Sequence, residues 1–416
     1  MKKNLLCVFA VMVVMLFGLT LTASAEEGVT DTEIHIGQWG PQTGPAAPWG
    51  AVARGTDAYV KMINAEGGIH GRKIVHHYFD DGYNPAKTIA GVKQLQEESG
   101  MFAYVGGVGT ATGLAVKEYI LDKKIPWIGP AAGSRHWIQP PNKYLFNTYP
   151  LYLGDAQLLC KYGYESMGFK KFAIAYQNDD YGKQGLEGAQ KQLAKYGVKL
   201  VAQIPVNVAD TDMKPHIMKF KKAQAEAVLL FVGPGHVARL IGTGKAMKFN
   251  PQWLSTTTCG DHPLMMAITK GLYAGTISAA FGMMDPKTIG VGNKENAMNP
   301  SLPALAKVKR DAYDKFAAKE ERWGMTYAAG IGFTEPFFEA LKRVGRDLTR
   351  EKLVAELEKI KNYKGVMGNV NYKPFDPNDP LCRIGQQEIF LVRAEADGTS
   401  TILTDWYTTE FIPMGK

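Results

Sequence analysis

The sequence predicts an α/β fold made of two doubly wound lobes. Short β-branched or aromatic runs alternate with longer amphipathic stretches from residue 33 onward, a pattern typical of βαβ units around a parallel sheet. The same alternation restarts after Tyr149-Pro150. A length of 416 residues with 45% hydrophobic and 21% charged side chains suits two or three globular domains of about 150 residues each. Two α/β blocks in succession are therefore expected.

The first block alternates short strands with amphipathic helices. Its strands are predicted at 33–37, 73–79, 102–106 and 125–129. Its helices are predicted at 51–65, 85–98 and 112–123. The helices carry apolar residues three and four positions apart, as in Ile89, Val92 and Leu95, which gives each one a face that packs on a sheet.

The second block repeats this arrangement. Its strands are predicted at 172–176, 199–206, 227–232 and 252–255. Its helices are predicted at about 155–167, 181–196, 213–223 and 236–247. No low-complexity linker separates the two blocks, so short segments must pass between them, as a hinged pair requires.

The remainder of the chain departs from the repeat. Residues 283–304, rich in Gly, Pro and Asn, are predicted to be an insertion without regular structure. Helices follow at 305–319 and 327–344, the second with Pro336 at its first turn or at a kink. The tail ends in a predicted hairpin, 388–393 with 400–406, around Asp397-Gly398.

Residues 1–25 have the features of a secretory signal. Lys2 and Lys3 precede an apolar run at 5–21, and Ala23-Ser24-Ala25 supplies a cleavage site before Glu26. The sequence therefore predicts a periplasmic protein. An uncleaved membrane anchor is the alternative, because the run is about long enough to span a bilayer, although acidic residues rather than a basic stop follow it.

Charge and cysteine content narrow the possible partners. The 48 Lys and Arg against 40 Asp and Glu give a formal charge of +8, but no basic stretch interleaved with aromatics marks a nucleic-acid groove. Cys160, Cys259 and Cys382 remain after processing, and one disulfide with one thiol or three buried thiols are both open. Their spacing to histidines predicts no metal site, and no cofactor motif is present.

The loops after the predicted strands point to ligand binding and away from catalysis. No G-x-S-x-G, H-E-x-x-H or P-loop motif is present, so an exported hydrolase lacks a nucleophile and base. The segment 107–113 has glycines spaced one residue too widely for a dinucleotide site. Thr110 and Thr112, with free N–H groups at a helix start, instead suit a small anion, although Thr112 could simply cap its helix.

Four segments carry a resemblance to a known family: Gly44 to Gly50, Ile63 to Arg72, Ile128 to Ala132 and Asn178 to Gly182. With them the whole mature chain resembles the periplasmic leucine/isoleucine/valine-binding proteins, the solute receptors of branched-chain amino acid ABC transporters. The resemblance implies a type I, Venus-flytrap fold whose lobes share a three-segment hinge. We expect residues 30–151 with 281–390 in one lobe, and 152–280 with 391–416 in the other.

The resemblance also implies which residues bind the ligand's carboxylate. Thr110 matches the family's hydroxyl after the third strand, and Ala131 and Gly133 fall in the loop after the fourth strand. The family usually has a threonine where this chain has Gly133, so Ser134 is expected to supply the hydroxyl instead.

Two aromatic positions match the family, and two other positions depart from it. Trp49 and Tyr181 match the pocket aromatics of the first and second lobes. Residues 233–235 contain no aromatic where the family has a tyrosine, and Thr257 stands where the family has its ammonium-binding glutamate. Asp261, four residues after Thr257, is a nearby carboxylate that could turn toward the ligand. The ligand is therefore expected to be a carboxylate or amide without an α-ammonium group, a class that includes aromatic acids, rather than leucine itself.

The function implied by the resemblance is that of a monomeric receptor that binds an amino acid or a related carboxylate and delivers it to a membrane permease. A receptor feeding a chemoreceptor or kinase is the alternative. Thr110→Ala and Tyr181→Ala are expected to weaken binding with little change in the thermal midpoint of the ligand-free protein.

Overall fold

The computed structural model describes residues 26–282 and 310–414, which form two α/β lobes. The predicted signal segment at 1–25 and the predicted insertion at 283–304 lie outside the described residues. Of the helix predicted at 305–319, residues 310–316 are helical and 305–309 are outside the description.

The first lobe is built on a five-stranded parallel sheet with strand order β2-β1-β3-β4-β5. The strands are β1 (Glu33–Trp39), β2 (Lys73–Phe79), β3 (Ala103–Val105), β4 (Trp127–Ile128) and β5 (Leu145–Phe146). Helices α1 (Ala51–Ala65), α2 (Pro85–Ser99) and α3 (Thr110–Asp122) connect them. The two-residue β5 was not predicted, because a strand of that length carries no periodic pattern.

The second lobe is built on a larger sheet with strand order β14-β13-β10-β9-β8-β6-β7, and β15 pairs with β13. Its strands are β6 (Phe172–Gln177), β7 (Ala202–Val206), β8 (Ala227–Phe231), β9 (Gln252–Ser255), β10 (Ile277–Ala280), β13 (Glu388–Ala394), β14 (Ser400–Ile402) and β15 (Tyr407–Thr408). Its helices are α4 (Tyr152–Glu165), α5 (Asp180–Ala194), α6 (Lys214–Lys222), α7 (Pro234–Ala246) and α8 (His262–Ile268). The hairpin predicted in the tail is confirmed as the antiparallel pair β13 and β14, whereas β10 and α8 were not predicted.

After β10 the chain returns to the first lobe. There it forms α9 (Met325–Val344), α10 (Arg350–Glu358), β11 (Tyr363–Gly365) and β12 (Gly368–Val370). Helix α9 starts two residues earlier than predicted, and Pro336 lies in its interior rather than in its first turn.

The chain passes between the two sheets after β5, after β10 and before β13. Two of these crossing segments pair with each other, since the Asn147 amide donates to the Arg383 carbonyl at 2.9 Å and the Gly385 amide donates to the Asn147 carbonyl at 2.7 Å. The third crossing was expected at residue 390. That position lies within β13, which pairs with β10 at residues 390–393, so the crossing precedes Glu388.

The sequence left the state of three cysteines open, and its alternative of an uncleaved membrane anchor rests on residues 5–21, which lie outside the described residues. Cys160, Cys259 and Cys382 are three buried free thiols. No helix within residues 26–282 and 310–414 combines the length and apolarity needed to cross a bilayer.

Helices α1 and α9 touch backbone to backbone at Gly330. A Cβ atom there would lie 1.9 Å from the Val52 carbonyl oxygen. The Gly330 carbonyl also accepts a hydrogen bond of 2.9 Å from the Thr56 hydroxyl. This close contact positions α9, which carries one wall of the cleft described below.

Gly330→Ala is therefore expected to lower the free energy of unfolding by about 3 kcal/mol, because a backbone carbonyl cannot move aside for the added methyl group. Gly242→Ala is the matched control. It lies inside α7 with nothing within 4 Å of the added Cβ, so the better helix propensity of alanine should raise stability by about 0.5–1 kcal/mol. Urea unfolding followed by circular dichroism measures both, and equal effects would contradict the packing described here.

Candidate ligand-binding cleft

A cavity of about 530 Å³, including the part open to solvent, lies between the two lobes. It is bordered by loops at the carboxyl ends of the strands, where open parallel sheets bind ligands. Its aromatic lining residues are Trp49, Tyr83, Tyr149, Tyr152, Tyr181, Phe281 and Phe333. In the described part of the chain, the lining includes no Asp, Glu, Lys, Arg or His side chain. The part of the cavity lined by the described residues is thus aromatic and uncharged.

The aromatic rings form a continuous wall. Tyr152 contacts Tyr181 with ring centroids 4.7 Å apart and Tyr149 with centroids 5.7 Å apart. Tyr149 in turn contacts Phe281 at 4.6 Å, and Tyr181 meets Trp49 edge-on at 6.5 Å. Offset and edge-to-face contacts of this kind stabilise each ring in one orientation.

Trp49 joins the two lobes across the cavity. It lies in the 3-10 turn Ala47–Gly50 that precedes α1. Its indole N–H donates to the Thr258 carbonyl of the second lobe at 2.9 Å. The ring also lies 3.4 Å from where a Cβ on Gly233 would stand. The glycine found where the family has a tyrosine therefore leaves room for Trp49.

Tyr181 forms the wall of the second lobe. Its hydroxyl shares hydrogen bonds with the hydroxyls of Thr256 (3.2 Å) and Thr258 (2.9 Å). Its ring packs on Phe231 and is 1% exposed. The expectation that Tyr181→Ala leaves the ligand-free midpoint unchanged does not fit this burial, because truncating a packed ring removes core contacts.

Thr257 lies at the cavity but has no free hydroxyl. Its backbone N–H and its hydroxyl both donate to one carboxylate oxygen of Asp155, at 2.9 and 2.7 Å. Its oxygen accepts the Tyr149 hydroxyl at 3.2 Å. Burial raises the pKa of Asp155 to about 7, against the lowering effect of the Thr257 hydrogen bonds. The resemblance implies a glutamate at this position. This chain instead has a threonine whose hydroxyl is already hydrogen-bonded, next to a carboxyl group whose ionised form is destabilised by burial.

Asp261 does not turn toward the ligand. It is the N-cap of α8, where it accepts the Leu264 N–H at 3.1 Å. Its other carboxylate oxygen accepts the Thr326 N–H of the first lobe at 2.9 Å. Asp261 is not among the residues lining the cavity. Because both oxygens serve backbone donors, the prediction that Asp261 contacts the ligand is corrected to a capping role.

The amino-terminal end of α3 forms a polar pole of the cavity. Gly109 lines the cavity, and Thr110 is the first residue of the helix. The Thr110 hydroxyl is fully buried and is not among the groups that line the cavity. It makes no hydrogen bond of regular geometry in the described residues, and the Tyr152 hydroxyl lies close enough to interact with it. Ala131 lines the cavity beside it, and its N–H bonds the Gly107 carbonyl at 3.0 Å, which joins the two loops. Free N–H groups at the helix start, with the Thr110 hydroxyl next to them, suit an anionic ligand group.

Two other predicted residues lie beside the cavity without lining it. The Thr112 hydroxyl donates to the carbonyls of Val108 and Gly109, so it serves its own helix. Gly133 packs against the backbone, and its carbonyl accepts the Tyr152 N–H at 2.8 Å. The structure therefore gives both residues local structural roles.

Ser134 bridges the lobes instead of facing the ligand. Its hydroxyl accepts a hydrogen bond of 2.8 Å from Gln184 on α5. The same Gln184 accepts the Arg135 N–H at 2.9 Å, and Arg135 pairs with Glu187 at 2.6 Å. These contacts hold the first lobe against the second beside the cavity.

Sequence reasoning missed most of the aromatic wall. Tyr83 follows β2 at the carboxyl edge of the first sheet, and this place after a strand was the signal that could have identified it. Tyr149 and Tyr152 lie at the first crossing, and Phe281 follows the unpredicted β10. Phe333 lies on α9 and carried no signal that separated it from a core residue.

The fold and the cavity together define a two-lobed ligand-binding receptor. The chain belongs to the periplasmic binding protein family, whose model matches residues 33–399. The resemblance found in the sequence is thereby confirmed.

Two curated relatives illustrate the similarity. Leu/Ile/Val-binding protein homolog 1 of Brucella melitensis is 24% identical over 386 residues, which cover 91% of this chain and 95% of the relative. Leu/Ile/Val-binding protein homolog 3 of the same organism is 28% identical over 197 residues, 47% of this chain. That second match spans 53% of the relative, about half of its length.

Solved structures share the fold. A fatty acid ABC transporter substrate-binding protein from Thermomonospora curvata has a TM-score of 0.79 at 23% identity, over 93% of this chain and 95% of that one. A branched chain amino acid ABC transporter protein from Thermus thermophilus, with bound valine, has a TM-score of 0.76 at 20% identity, over 92% and 98% of the chains. At these identities the likeness shows the fold alone.

Proposed function

We propose that this protein is the exported receptor of an ABC importer and binds a small carboxylate without an α-ammonium group. It carries this ligand between its lobes and delivers it to a membrane permease. The observation that supports the proposal best is the make-up of the cavity. One pole is the start of α3, where Gly109 lines the cavity and the Thr110 hydroxyl is buried next to it. The walls are aromatic, and no charged side chain of the described chain lines the cavity.

The carboxylate pole is the more polar end of the cavity. A carboxylate there accepts hydrogen bonds from Thr110 and from the first N–H groups of α3, and hydrogen bonds to a charged group contribute about 1.5–3 kcal/mol each. Two structural neighbours agree with this chemistry, since one has bound valine, the other is named for fatty acid transport, and both valine and fatty acids carry a carboxylate. Only valine adds an ammonium group.

Around Thr257, the described residues offer no free carboxylate as a partner for an ammonium group. The Thr257 hydroxyl donates to Asp155, and the Asp261 carboxylate accepts backbone N–H groups. Burying an ammonium group without a carboxylate costs several kcal/mol, about as much as a buried leucine-sized side chain contributes. The cavity therefore disfavours α-amino acids and favours apolar or aromatic acids.

Ligand binding is coupled to closure because both lobes supply walls of the cavity. Trp49 bonds Thr258, and Ser134 bonds Gln184, across the interface. A ligand that touches both lobes stabilises the closed form by its differential affinity for that form.

Native mass spectrometry of protein freshly purified from the periplasm tests this proposal. We expect a chain that begins at Glu26 and carries a small acid, which is released on denaturation and identified by its mass. A retained α-amino acid would contradict the ligand class, and a chain retaining residues 1–25 would contradict export by cleavage.

A further inference from the structure

The loop after β2 holds Tyr83 in an unusual backbone conformation. Its φ is 58°, in the left-handed region that residues with a side chain seldom adopt. Asp81 fixes this geometry by accepting the Tyr83 N–H at 2.9 Å and the Thr88 hydroxyl at 2.9 Å. Strained conformations of this kind persist where surrounding contacts determine them, and they cluster at binding sites. The loop thus directs the Tyr83 side chain into the cavity wall.

The Tyr83 ring lies against the polar pole of the cavity. A Cβ atom on Gly109 would stand 2.5 Å from the ring, so only glycine fits there. On another side the ring packs on Trp49 with centroids 5.6 Å apart. Tyr83 is therefore held between the start of α3 and the tryptophan that joins the lobes.

The Tyr83 hydroxyl has a proton to donate. Its oxygen accepts the Gln177 side-chain N–H of the second lobe at 3.4 Å. No acceptor for the hydroxyl proton lies in hydrogen-bond geometry among residues 26–282 and 310–414. Burial, together with the nearby Asp179 carboxylate, keeps the pKa of Tyr83 well above its usual value, so the phenol stays protonated at any working pH.

We propose that Tyr83 is a ligand-binding residue, which donates its hydroxyl proton to the same carboxylate that Thr110 and the start of α3 bind. In this chain Tyr83 supplies, from the first lobe, the aromatic hydroxyl that is absent at residues 233–235 of the second lobe. Because Gln177 donates to the same phenol oxygen, anion binding and lobe closure strengthen each other through one chain of hydrogen bonds. This inference rests on the proposed function.

Tyr83→Phe tests the inference, since it removes the hydroxyl and keeps the ring between Gly109 and Trp49. Isothermal titration with 3-phenylpropanoate and 4-methylpentanoate is expected to show binding about 10- to 100-fold weaker than wild type. Tyr104→Phe is the matched control, because that buried hydroxyl donates to the Val92 carbonyl at 3.0 Å, away from the cavity. Its affinity for both acids should equal that of wild type.

The neutral amide 3-phenylpropanamide separates binding from a structural role. If the Tyr83 hydroxyl binds the carboxylate, Tyr83→Phe is expected to weaken binding of the amide less than binding of the acid. If Tyr83 only shapes the cavity wall, the substitution should change both affinities equally. Equal affinity of Tyr83→Phe and wild type for the acids, or an equal loss for acid and amide, would overturn the inference and leave the receptor function standing. Failure of wild type to bind either acid would overturn the proposed ligand class and this inference with it.

Discussion

Thr110→Val is expected to weaken carboxylate binding about 10- to 100-fold and, at the same time, to raise the thermal midpoint of the ligand-free protein. The hydroxyl is fully buried and makes no hydrogen bond of regular geometry in the described residues, with the Tyr152 hydroxyl near it, and an unsatisfied buried polar group costs about 1–3 kcal/mol. Valine has nearly the shape of threonine and removes that cost. With ligand present, the same change removes a hydrogen bond to a charged acceptor. Titration calorimetry and calorimetric unfolding measure the two effects.

Thr112→Val is the matched control, since it makes the same change two residues away. Its hydroxyl bonds the carbonyls of Val108 and Gly109, so the variant should bind the acid as wild type does and unfold at a slightly lower temperature. A Thr110→Val protein that binds normally, or that is less stable without ligand, would show that Thr110 has only a structural role.

Asp155→Asn is expected to make the protein more stable at pH 8 while changing little near pH 4. In the folded protein burial raises the pKa of Asp155 to about 7, from an ordinary value of 3.8. The folded chain therefore binds more protons than the unfolded chain between these values, and stability falls as pH rises from about 4 to about 7. The full shift corresponds to about 4 kcal/mol. Asparagine does not titrate, and its amide oxygen still accepts the Thr257 N–H.

The measurement is the difference in unfolding free energy between wild type and Asp155→Asn from pH 4 to pH 8. Other titrating groups are common to both proteins and cancel in this difference, including His262, whose pKa burial lowers to about 3. Asp397→Asn, on the exposed β13–β14 turn, is the charge-matched control and should show no gain with rising pH. A flat difference for Asp155→Asn would show that Asp155 ionises normally.

Much of the fold follows from the sequence because hydrophobic periodicity encodes both lobes. The elements α1, β2 and β9 have the predicted bounds. The strand predicted at 125–129 is the two-residue β4, and the two-residue β5 carries too few residues for a pattern. The crossing before β13 was misplaced by a few residues, since nothing local in the sequence marks where a strand joins its sheet.

The site could be predicted in part for similar reasons. Loops at the carboxyl ends of strands converge, so Trp49, Ala131, Tyr181 and Thr257 all line the cavity. The direction of short polar side chains is set by local backbone donors, which sequence does not show. Thr112 is two residues beyond Thr110 on a helix, about 200° around its axis, so the two cannot face one ligand.

Aromatic residues brought in by tertiary packing could not be predicted individually. Tyr83 reaches the cavity only because its loop adopts a left-handed backbone, and Phe333 only because α9 packs closely on α1. Such placements depend on contacts between distant segments, which no local pattern records.

The central claim is that the cleft selects carboxylates that lack an α-ammonium group. Titration calorimetry with two matched pairs of ligands tests it most directly: leucine against 4-methylpentanoate, and phenylalanine against 3-phenylpropanoate. Within each pair only the ammonium group differs. The structure predicts that the acid without the ammonium group binds tighter in both pairs, by about tenfold or more. Tight binding of leucine or phenylalanine with weak binding of its partner acid would contradict the claim.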